Sequence, residues 1–189
     1  MGTRLVVASA PMSVRVHLRD VRDDDLPTLF EHQMDPEANR MANFEARDRD
    51  AFMAHWAKIL RDDTVVVRTI EVEGRVAGNI VSWEHDGERD VGYWIGHDHW
   101  GKGVATAALT AFLMELDTRP LYAHVAAYNT GSIRVLEKCG FERSGDERLS
   151  VDVDEVQELL MKLDPDVRTV PRTGAADTPA RADRRPPPR

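Results

Sequence analysis

The sequence predicts an α/β sandwich, in which helices pack against one mixed β-sheet. Two observations predict this class. Runs of β-branched and aromatic residues alternate along the chain with amphipathic segments of helical periodicity, and no internal repeat interrupts that order. The chain has 189 residues, of which 42% are hydrophobic and 31% charged, so it has room for one domain with a substantial core.

Three strands and two helices are predicted in the first half of the chain. They are a strand in which Val14, Val16 and Leu18 alternate, a helix from Asp23 through about Met34, a helix over 48–60, and strands over 64–71 and 75–83. The helix over 48–60 carries Phe52, Trp56, Ile59 and Leu60 on one face, which favours packing on a sheet. Glu73-Gly74 lies between two strand segments and predicts the turn of a hairpin.

The second half of the chain is predicted to alternate strands with helices and to end on a strand pair. The elements are a central strand over 89–95, a helix over 104–115, a strand over Leu121–Ala126, a helix over 132–139, and an antiparallel pair over 142–151 and 155–163.

The two ends of the chain differ in composition from this domain, which we place at residues 14–164. Residues 1–13 are expected to form a loose leader, because their apolar part is too short for a secretory signal. Residues 165–189 hold six of the ten prolines and almost nothing apolar to bury, which predicts a disordered Pro/Arg-rich tail.

The charge of the chain limits its partners. The whole chain carries −8 and the tail, with six Arg and three Asp, carries +3, so residues 1–164 carry −11. An acidic domain argues against nucleic-acid binding and favours cationic substrates such as amines, although the acidity could equally serve solubility alone. No apolar run approaches the roughly 18–20 residues of a membrane span, and we expect no membrane partner. The single cysteine, Cys139, excludes an internal disulfide and suits a cytoplasmic location.

The first functional motif lies at residues 91–106, where a strand passes into a loop with Gly101 and Gly103 and then into a helix. The first N–H groups of a helix have no intrahelical acceptor, and glycine lets the backbone come close to an anion, so this pattern is typical of phosphate binding. Neither the nucleotide-triphosphate loop nor the dinucleotide fingerprint is present, since Thr106 stands where the latter needs glycine. The glycines alone could also punctuate an ordinary strand-to-helix turn.

A second motif decides between these interpretations. The segment Asn129-Thr-Gly-Ser-Ile-Arg-Val-Leu-Glu-Lys-Cys-Gly-Phe141 predicts a capped amphipathic helix. Together with Trp100-Gly-Lys-Gly-Val-Ala it resembles the GNAT superfamily of acyl-CoA N-acyltransferases, and most of all the branch of the ribosomal-protein-alanine N-acetyltransferases. The resemblance extends over residues 14–163.

The resemblance implies a GNAT-like sheet of six or seven strands, mostly antiparallel, with helices on both faces and a splayed central strand pair. It implies acetyl-CoA as co-substrate, with the pantetheine arm between strands 89–95 and 121–126. The residues that it assigns to cofactor binding are Trp94, Ile95, Gly96, Trp100, Gly101, Lys102, Gly103, Val104, Ala105, Thr106, Asn129 and Ser132. Trp100 departs from the Gln or Arg of the family consensus and removes one polar donor. Thr106 and Asn129 could instead be ordinary residues of a helix start.

Acetyl transfer also needs a donor to the thioester carbonyl and a proton source for the leaving thiolate. A bulge between Gly92 and Gly96 is expected to free a backbone N–H for the carbonyl oxygen. Many relatives place a tyrosine at the position of Leu136, so the proton source falls to Ser132, with Tyr128 as a second donor. Helix capping is the alternative role for Ser132.

The general base is expected to be Glu84, with His85, Asp90, His97 and His99 as alternatives, although each could be an ordinary solvated side chain. His97 and His99 lack further ligands, so no metal is expected. Reaching the neutral amine at pH 7 costs about 1 kcal/mol for an α-amine and roughly 4.6 for a lysine, so a site without a strong base suits α-amines or other weakly basic amines.

The sequence therefore predicts an acetyl-CoA-dependent N-acetyltransferase that acts by direct transfer to a primary amine. A protein or peptide N-terminus is the favoured acceptor, with a small-molecule amine as the alternative. The rival function is a non-catalytic acyl-CoA-binding or regulatory module, and a longer acyl donor is a third option. We expect a monomer or a homodimer.

Overall fold

The computed structural model describes residues 14–144 and 157–165. Strands and helices follow each other in the order β1 His17–Arg19, α1 Leu26–Gln33, α2 Pro36–Ala42, α3 Arg49–Ile59, β2 Val66–Val72, β3 Arg75–His85, β4 Glu88–Ile95, α4 Val104–Glu115, β5 Leu121–Ala126, α5 Thr130–Lys138, β6 Glu142–Arg143 and β7 Glu158–Leu163. Two short 3₁₀ turns, Asp23–Asp25 and His97–His99, precede α1 and α4.

The described strands form one seven-stranded sheet in the order β1-β2-β3-β4-β5-β7-β6. Each neighbouring pair is antiparallel except β4 and β5, which are parallel. The prediction of a mixed, mostly antiparallel sheet is therefore confirmed.

The two central strands separate soon after they meet. Within the described part of the chain, β4 and β5 share only the pair Asp90↔Tyr122. By contrast, β4 pairs with β3 from Glu88 to Ile95, and β5 pairs with β7 over its whole length. A gap therefore opens beyond Asp90, with unpaired edges of β4 and β5 on its two sides, as the resemblance implied.

Helices cover both faces of the sheet. The larger core lies between the sheet and α4 and α5; its fully buried members include Ile70, Ile80, Leu109, Phe112, Leu121, Met161 and Leu163. The smaller core lies on the other face, where Leu26 and Leu29 of α1 pack with Phe52 and Trp56 of α3 against Val67. Side chains alternate along β4, so Val91 and Ile95 belong to the larger core while Asp90 and Trp94 face the opposite way.

Most predicted elements are found, with shifted ends. The helix predicted from Asp23 begins as a 3₁₀ turn and ends at Gln33. It is followed by α2, which the sequence analysis missed although Asp35-Pro36 is a good helix start; the Asp35 carboxylate accepts hydrogen bonds from the N–H groups of Glu37 and Ala38. The predicted leader, the tail beyond 165 and residues 145–156 of the terminal strand pair lie outside the described residues.

Candidate active site

A cavity of about 380 Å³ lies where the gap between β4 and β5 meets the loop before α4. Three parts of the chain form its walls: the end of β4 with the glycine loop, the first turns of α5, and α2. The lining residues include Ala38, Met41, Ala42, Tyr93, Trp94, Ile95, His99, Trp100, Gly101, Gly103, Val104, Ala105, Thr106, Asn129, Ser132, Arg134 and Lys138. Most of the predicted cofactor-binding residues are thus brought together.

The glycine loop leaves the start of α4 open. Gly101 and Gly103 have φ of 69° and 81°, in the left-handed region that favours glycine. Gly103 is the N-cap of α4, and no described side chain caps the helix there, so its first N–H groups face the cavity without an intrahelical acceptor. Backbone amides and the positive end of the helix dipole together suit a diphosphate. Lys102 is exposed and does not line the cavity.

Trp100 fixes the loop, and its indole N–H is used within the protein. Its indole N–H donates to the Ile95 carbonyl at 2.8 Å, and its ring packs on His97 with 4.4 Å between ring centroids. His97 in turn lies 2.8 Å from the Asp35 carboxylate, measured from Nδ1 to Oδ2. The loop before α4 is therefore tied both to the end of β4 and to the N-cap of α2.

The end of β4 is held by close contacts. Trp94 donates its indole N–H to the His32 carbonyl at 3.0 Å and meets Phe44 edge-on at 5.5 Å. Gly96 donates its N–H to the Ala77 carbonyl, and a Cβ on Gly96 would lie 2.5 Å from His32 Nε2. Gly96 thus packs closely against the His32 ring and lies outside the cavity lining.

The bulge predicted in β4 is not found. The strand keeps an unbroken register with β3 from Gly78↔Ile95 to His85↔Glu88. Divergence from β5 is what exposes one edge of β4, so the free backbone groups that a thioester carbonyl needs arise from the gap.

Tyr128 and Asn129 connect the start of α5 to α2. The Tyr128 hydroxyl donates to the Arg40 carbonyl at 2.7 Å, and the Asn129 side-chain amide donates to the Met41 carbonyl at 2.9 Å. The Asn129 Oδ1 also accepts from the Ser132 N–H at 3.0 Å, which caps α5. Ser132 and Asn129 line the cavity, whereas Tyr128 does not.

Sequence reasoning missed three of the polar side chains that line this cavity. Arg134 and Lys138, four positions apart on α5, bring two cationic side chains to the cavity wall. Their spacing in a helix next to a phosphate loop was the signal that could have found them. Tyr93 lines the cavity from β4, and desolvation by burial raises the pKa of its phenol to about 12 despite the hydrogen bond to Ser132, which lowers it.

The base candidates lie in different places. Glu84 is exposed near the β3–β4 hairpin, level with Arg89 and about 17 Å along the strand from Trp94 at 3.3 Å per residue. Asp90 is 4% exposed, at the point where β4 and β5 separate. Burial raises the pKa of Asp90, while the nearby His124 and His85 lower it less and Glu88 raises it further.

The described residues do not indicate a metal site, a reactive thiol or a membrane-spanning helix. They contain no group of three or more His, Cys, Asp or Glu side chains able to hold a metal ion. Cys139 is buried, and that burial raises the pKa of its thiol, which is unsuited to a nucleophile. No helix in the described ranges is long and apolar enough to cross a membrane.

The resemblance implied separated central strands, and the structure has them, opening onto a helix N-terminus without a described side-chain cap. This arrangement is the one expected of the class of acyl-coenzyme A-dependent acyltransferases. The chain belongs to the GNAT acetyltransferase family, because the family model described as Acetyltransferase (GNAT) domain matches residues 15–142. It is an N-acetyltransferase, and acetyl-CoA is the co-substrate of its family.

Known proteins agree with this assignment. The chain is 29% identical over 147 residues to an uncharacterized N-acetyltransferase, p20, of Bacillus licheniformis, covering 69% of this chain and 81% of that protein. It is similar in fold to spermidine N-acetyltransferase from Vibrio cholerae in complex with CoA and spermine, with a TM-score of 0.69, 19% identity, and coverage of 79% and 95% of the two chains. Mycobacterium smegmatis RimJ in complex with CoA-disulfide aligns with a TM-score of 0.59, 26% identity, and coverage of 79% and 81%.

Proposed function

We propose that this protein transfers the acetyl group of acetyl-CoA directly to a primary amine, with the α-amine of a peptide or protein as the favoured acceptor. The observation that carries the proposal is the cavity itself, which joins the open start of α4 to the gap between β4 and β5. One end suits a diphosphate and the other offers unpaired strand edges to an extended arm. Acetyl-CoA has both parts in that order.

The cofactor-binding roles follow from this arrangement. The N–H groups of Val104, Ala105 and Thr106 hold the diphosphate, and Arg134 and Lys138 add positive charge from α5. The N–H of Ile95 lies on the edge of β4 that faces the gap and supplies a backbone donor for the arm or the thioester carbonyl, whereas the Trp94 N–H points toward β3, like that of Gly96. Asn129 positions this site through its cap on α5 and its bond to α2.

Direct transfer is favoured over an acyl-enzyme. The described nucleophile of greatest intrinsic reactivity is Cys139, and its thiol is buried with a raised pKa. Catalysis then rests on holding the amine against the thioester, with hydrogen bonds where charge develops.

We assign the role of proton acceptor to Asp90, one of the alternatives to Glu84 that the sequence offered. Asp90 lies at the closed end of the gap, and its side chain faces away from the core under α4. β4 carries two carboxylates, Glu88 and Asp90, and of these Asp90 forms the pair with β5 at which the strands separate. Burial raises the pKa of Asp90, which makes it a stronger base than an ordinary carboxylate.

The choice of an α-amine rests on energy and on likeness. A modest base is sufficient for an α-amine, because a substantial fraction of it is already neutral near pH 7 to 8, and not for lysine. The two motifs resemble those of the ribosomal-protein-alanine N-acetyltransferases, which supports a protein acceptor, whereas the likeness to the spermidine enzyme, at 19% identity, concerns the fold.

Release of CoA thiol from acetyl-CoA, measured against a panel of amines, tests this function. We expect a peptide with a free N-terminus to be turned over faster than the same peptide with a blocked N-terminus and a free lysine, and faster than spermine or an aminoglycoside. Faster turnover of the small amines would transfer the assignment to a small-molecule acetyltransferase. Tight acetyl-CoA binding with no release to any acceptor would favour the non-catalytic module, which the presence of Leu136 in place of a tyrosine also motivates.

A matched pair of variants tests the cavity as the cofactor site. Gly101 and Gly87 both have positive φ, of 69° and 80°, and a Cβ on either meets nothing within 4 Å, but only Gly101 lines the cavity. Gly101→Glu should weaken acetyl-CoA binding at least about tenfold by calorimetry, since its carboxylate opposes the diphosphate, while Gly87→Glu should not. Equal affinity of both variants would contradict the assignment of the diphosphate to this loop.

A further inference from the structure

Tyr93 places a phenol inside the cofactor cavity. It lies near the middle of the exposed part of β4, between Val91 and Ile95, on the face that carries α4 and α5. Its hydroxyl reaches the first turn of α5, where it lies 3.4 Å from the carbonyl oxygen of Ser132. A strand and a helix on opposite sides of the gap thus bring two hydroxyl groups, those of Tyr93 and Ser132, to one cavity.

The hydroxyl of Tyr93 is loosely held. O–H···O hydrogen bonds are usually 2.7 to 2.8 Å long, so a separation of 3.4 Å is a weak contact that the hydroxyl can exchange for a better acceptor. The neighbouring N–H of Ser132 is already bonded to the Asn129 side chain at 3.0 Å. The Tyr93 hydroxyl can therefore donate a hydrogen bond to a bound ligand at the N-terminal, positive end of α5.

The helix itself offers no phenol at this place. Leu136, where many GNAT relatives carry a tyrosine, is 2% exposed and packs in the larger core. β4 therefore supplies, from the other side of the gap, the phenol that α5 lacks.

We propose that Tyr93 donates a hydrogen bond to the sulfur of coenzyme A as the carbon–sulfur bond of the thioester breaks. The proposal rests on the proposed acetyl transfer. In that step the amine nitrogen forms a bond to the acetyl carbon, the electron pair of the C–S bond passes to sulfur, and the amine proton passes to Asp90. The products are the amide, the CoA thiolate and the protonated carboxyl.

Tyr93 keeps its own proton throughout. Its pKa of about 12 lies well above the value of about 8.5 for an ordinary thiol, so a thiolate cannot remove that proton at a working pH. A phenol that stays protonated is a constant hydrogen-bond donor to the sulfur anion. The same donor should lower the pKa of the thiol of bound CoA, which gives the proposal a readout independent of turnover.

The test compares Tyr93→Phe with the wild-type chain, since phenylalanine keeps the ring and removes only the hydroxyl. We expect kcat for the best peptide of the panel to fall about 10- to 100-fold, with the Kd for acetyl-CoA unchanged within about twofold. We also expect the thiol pKa of bound CoA, followed by ultraviolet thiolate absorbance, to rise by about one unit or more. A merely structural role would not move that pKa.

Two further variants identify the donor if the prediction fails. Should Ser132→Ala or Tyr128→Phe raise the thiol pKa while Tyr93→Phe leaves it unchanged, the donor is one of them and the proposal is wrong. The thiol measurement needs only CoA binding, so it stands even if every amine of the panel proves inert. Inert amines with a raised thiol pKa in Tyr93→Phe would overturn the proposed acetyl transfer and leave only the hydrogen bond from Tyr93 to the sulfur of bound CoA established.

Discussion

At the residue scale, Asp90 and Glu84 show how position along one hairpin decides chemical character. Both are carboxylates near the middle of the chain, but Glu84 is exposed, whereas Asp90 is buried beside the single pair that joins β4 to β5. His85 Nδ1 lies 4.0 Å from the Asp90 carboxylate, and His124 on β5 also lowers its pKa. Burial nevertheless dominates, and the pKa of Asp90 is raised above its ordinary value.

Asp90→Asn should remove the acid limb of the pH profile. Since the proton acceptor must be ionised, kcat/KM of the wild type should fall as pH decreases through the raised pKa of Asp90. The variant should be slower by about 10²- to 10⁴-fold and should lack that limb. If Glu84→Gln abolishes the limb and Asp90→Asn keeps it, the assignment to Glu84 from sequence was right.

Asp90→Asn should lose activity but gain stability, measured as the free energy of unfolding. Because the folded-state pKa of Asp90 lies above its unfolded value, ionisation of Asp90 lowers the free energy of unfolding as pH rises through that window. Asp90→Asn should therefore unfold at a higher temperature than the wild type at neutral pH and not below about pH 4, where both side chains are neutral. Thermal unfolding at the two pH values measures this difference.

At the element scale, α2 is the wall of the cavity that the sequence did not predict. Seven residues, Pro36–Ala42, are too few for a clear periodicity, and their apolar members face a cavity as well as the protein. Its position depends on bonds from distant parts of the chain: Asp35 to His97 at one end, and Arg40 and Met41 to the start of α5 at the other. Such tertiary contacts leave no local pattern in the sequence.

Loss of a helix cap should therefore have different effects at α2 and α3. Asp35 caps α2 through the N–H of Glu37 at 2.8 Å, and Asp48 caps α3 through the N–H of Ala51 at the same distance. Replacing either by Ala should cost about 1 kcal/mol in urea unfolding. Only Asp35→Ala should also weaken acetyl-CoA binding, by several fold in calorimetry, because α2 lines the cavity. An equal loss of affinity in Asp48→Ala would show a global effect instead.

At the scale of the whole molecule, the sequence predicted the order of elements and the glycine loop before α4 well, because both rest on local patterns, while the role of that loop as a phosphate cradle stays a prediction. Strand alternation, glycine punctuation and the cap at Asn129 are each read within a few residues. The predictions that differ from the structure depend on contacts between residues that lie far apart in the sequence. Lys102 was the predicted cation, but α5 brings Arg134 and Lys138 to the cavity, and a β4 bulge was expected where divergence of two strands opens the sheet.

Acetyl-CoA should stabilise the whole domain. Its cavity is built from α2, β4, the glycine loop and α5, which lie far apart in sequence, so a ligand that binds there favours the complete fold. At a concentration of 100 times Kd the free energy of unfolding should rise by about 2.7 kcal/mol, giving a clear increase in Tm. With acetyl-CoA bound about tenfold more weakly, Gly101→Glu should keep only about 1.4 kcal/mol of that increase at the same concentration. A Tm independent of acetyl-CoA would show that the ligand does not bind the native state.

The separation of β4 from β5 also gives this sheet four lateral borders where an intact sheet has two. The outer borders are β1, which is three residues long, and β6, which is described over two residues. A border as short as β1 is a poor template for another chain. The inner borders, along β4 and β5, are longer, and their backbone groups face the gap, where the Ile95 carbonyl accepts from the Trp100 indole. The protein without ligand is consequently the form most open to strand addition by a neighbouring molecule, and saturation with coenzyme A should protect concentrated samples from self-association.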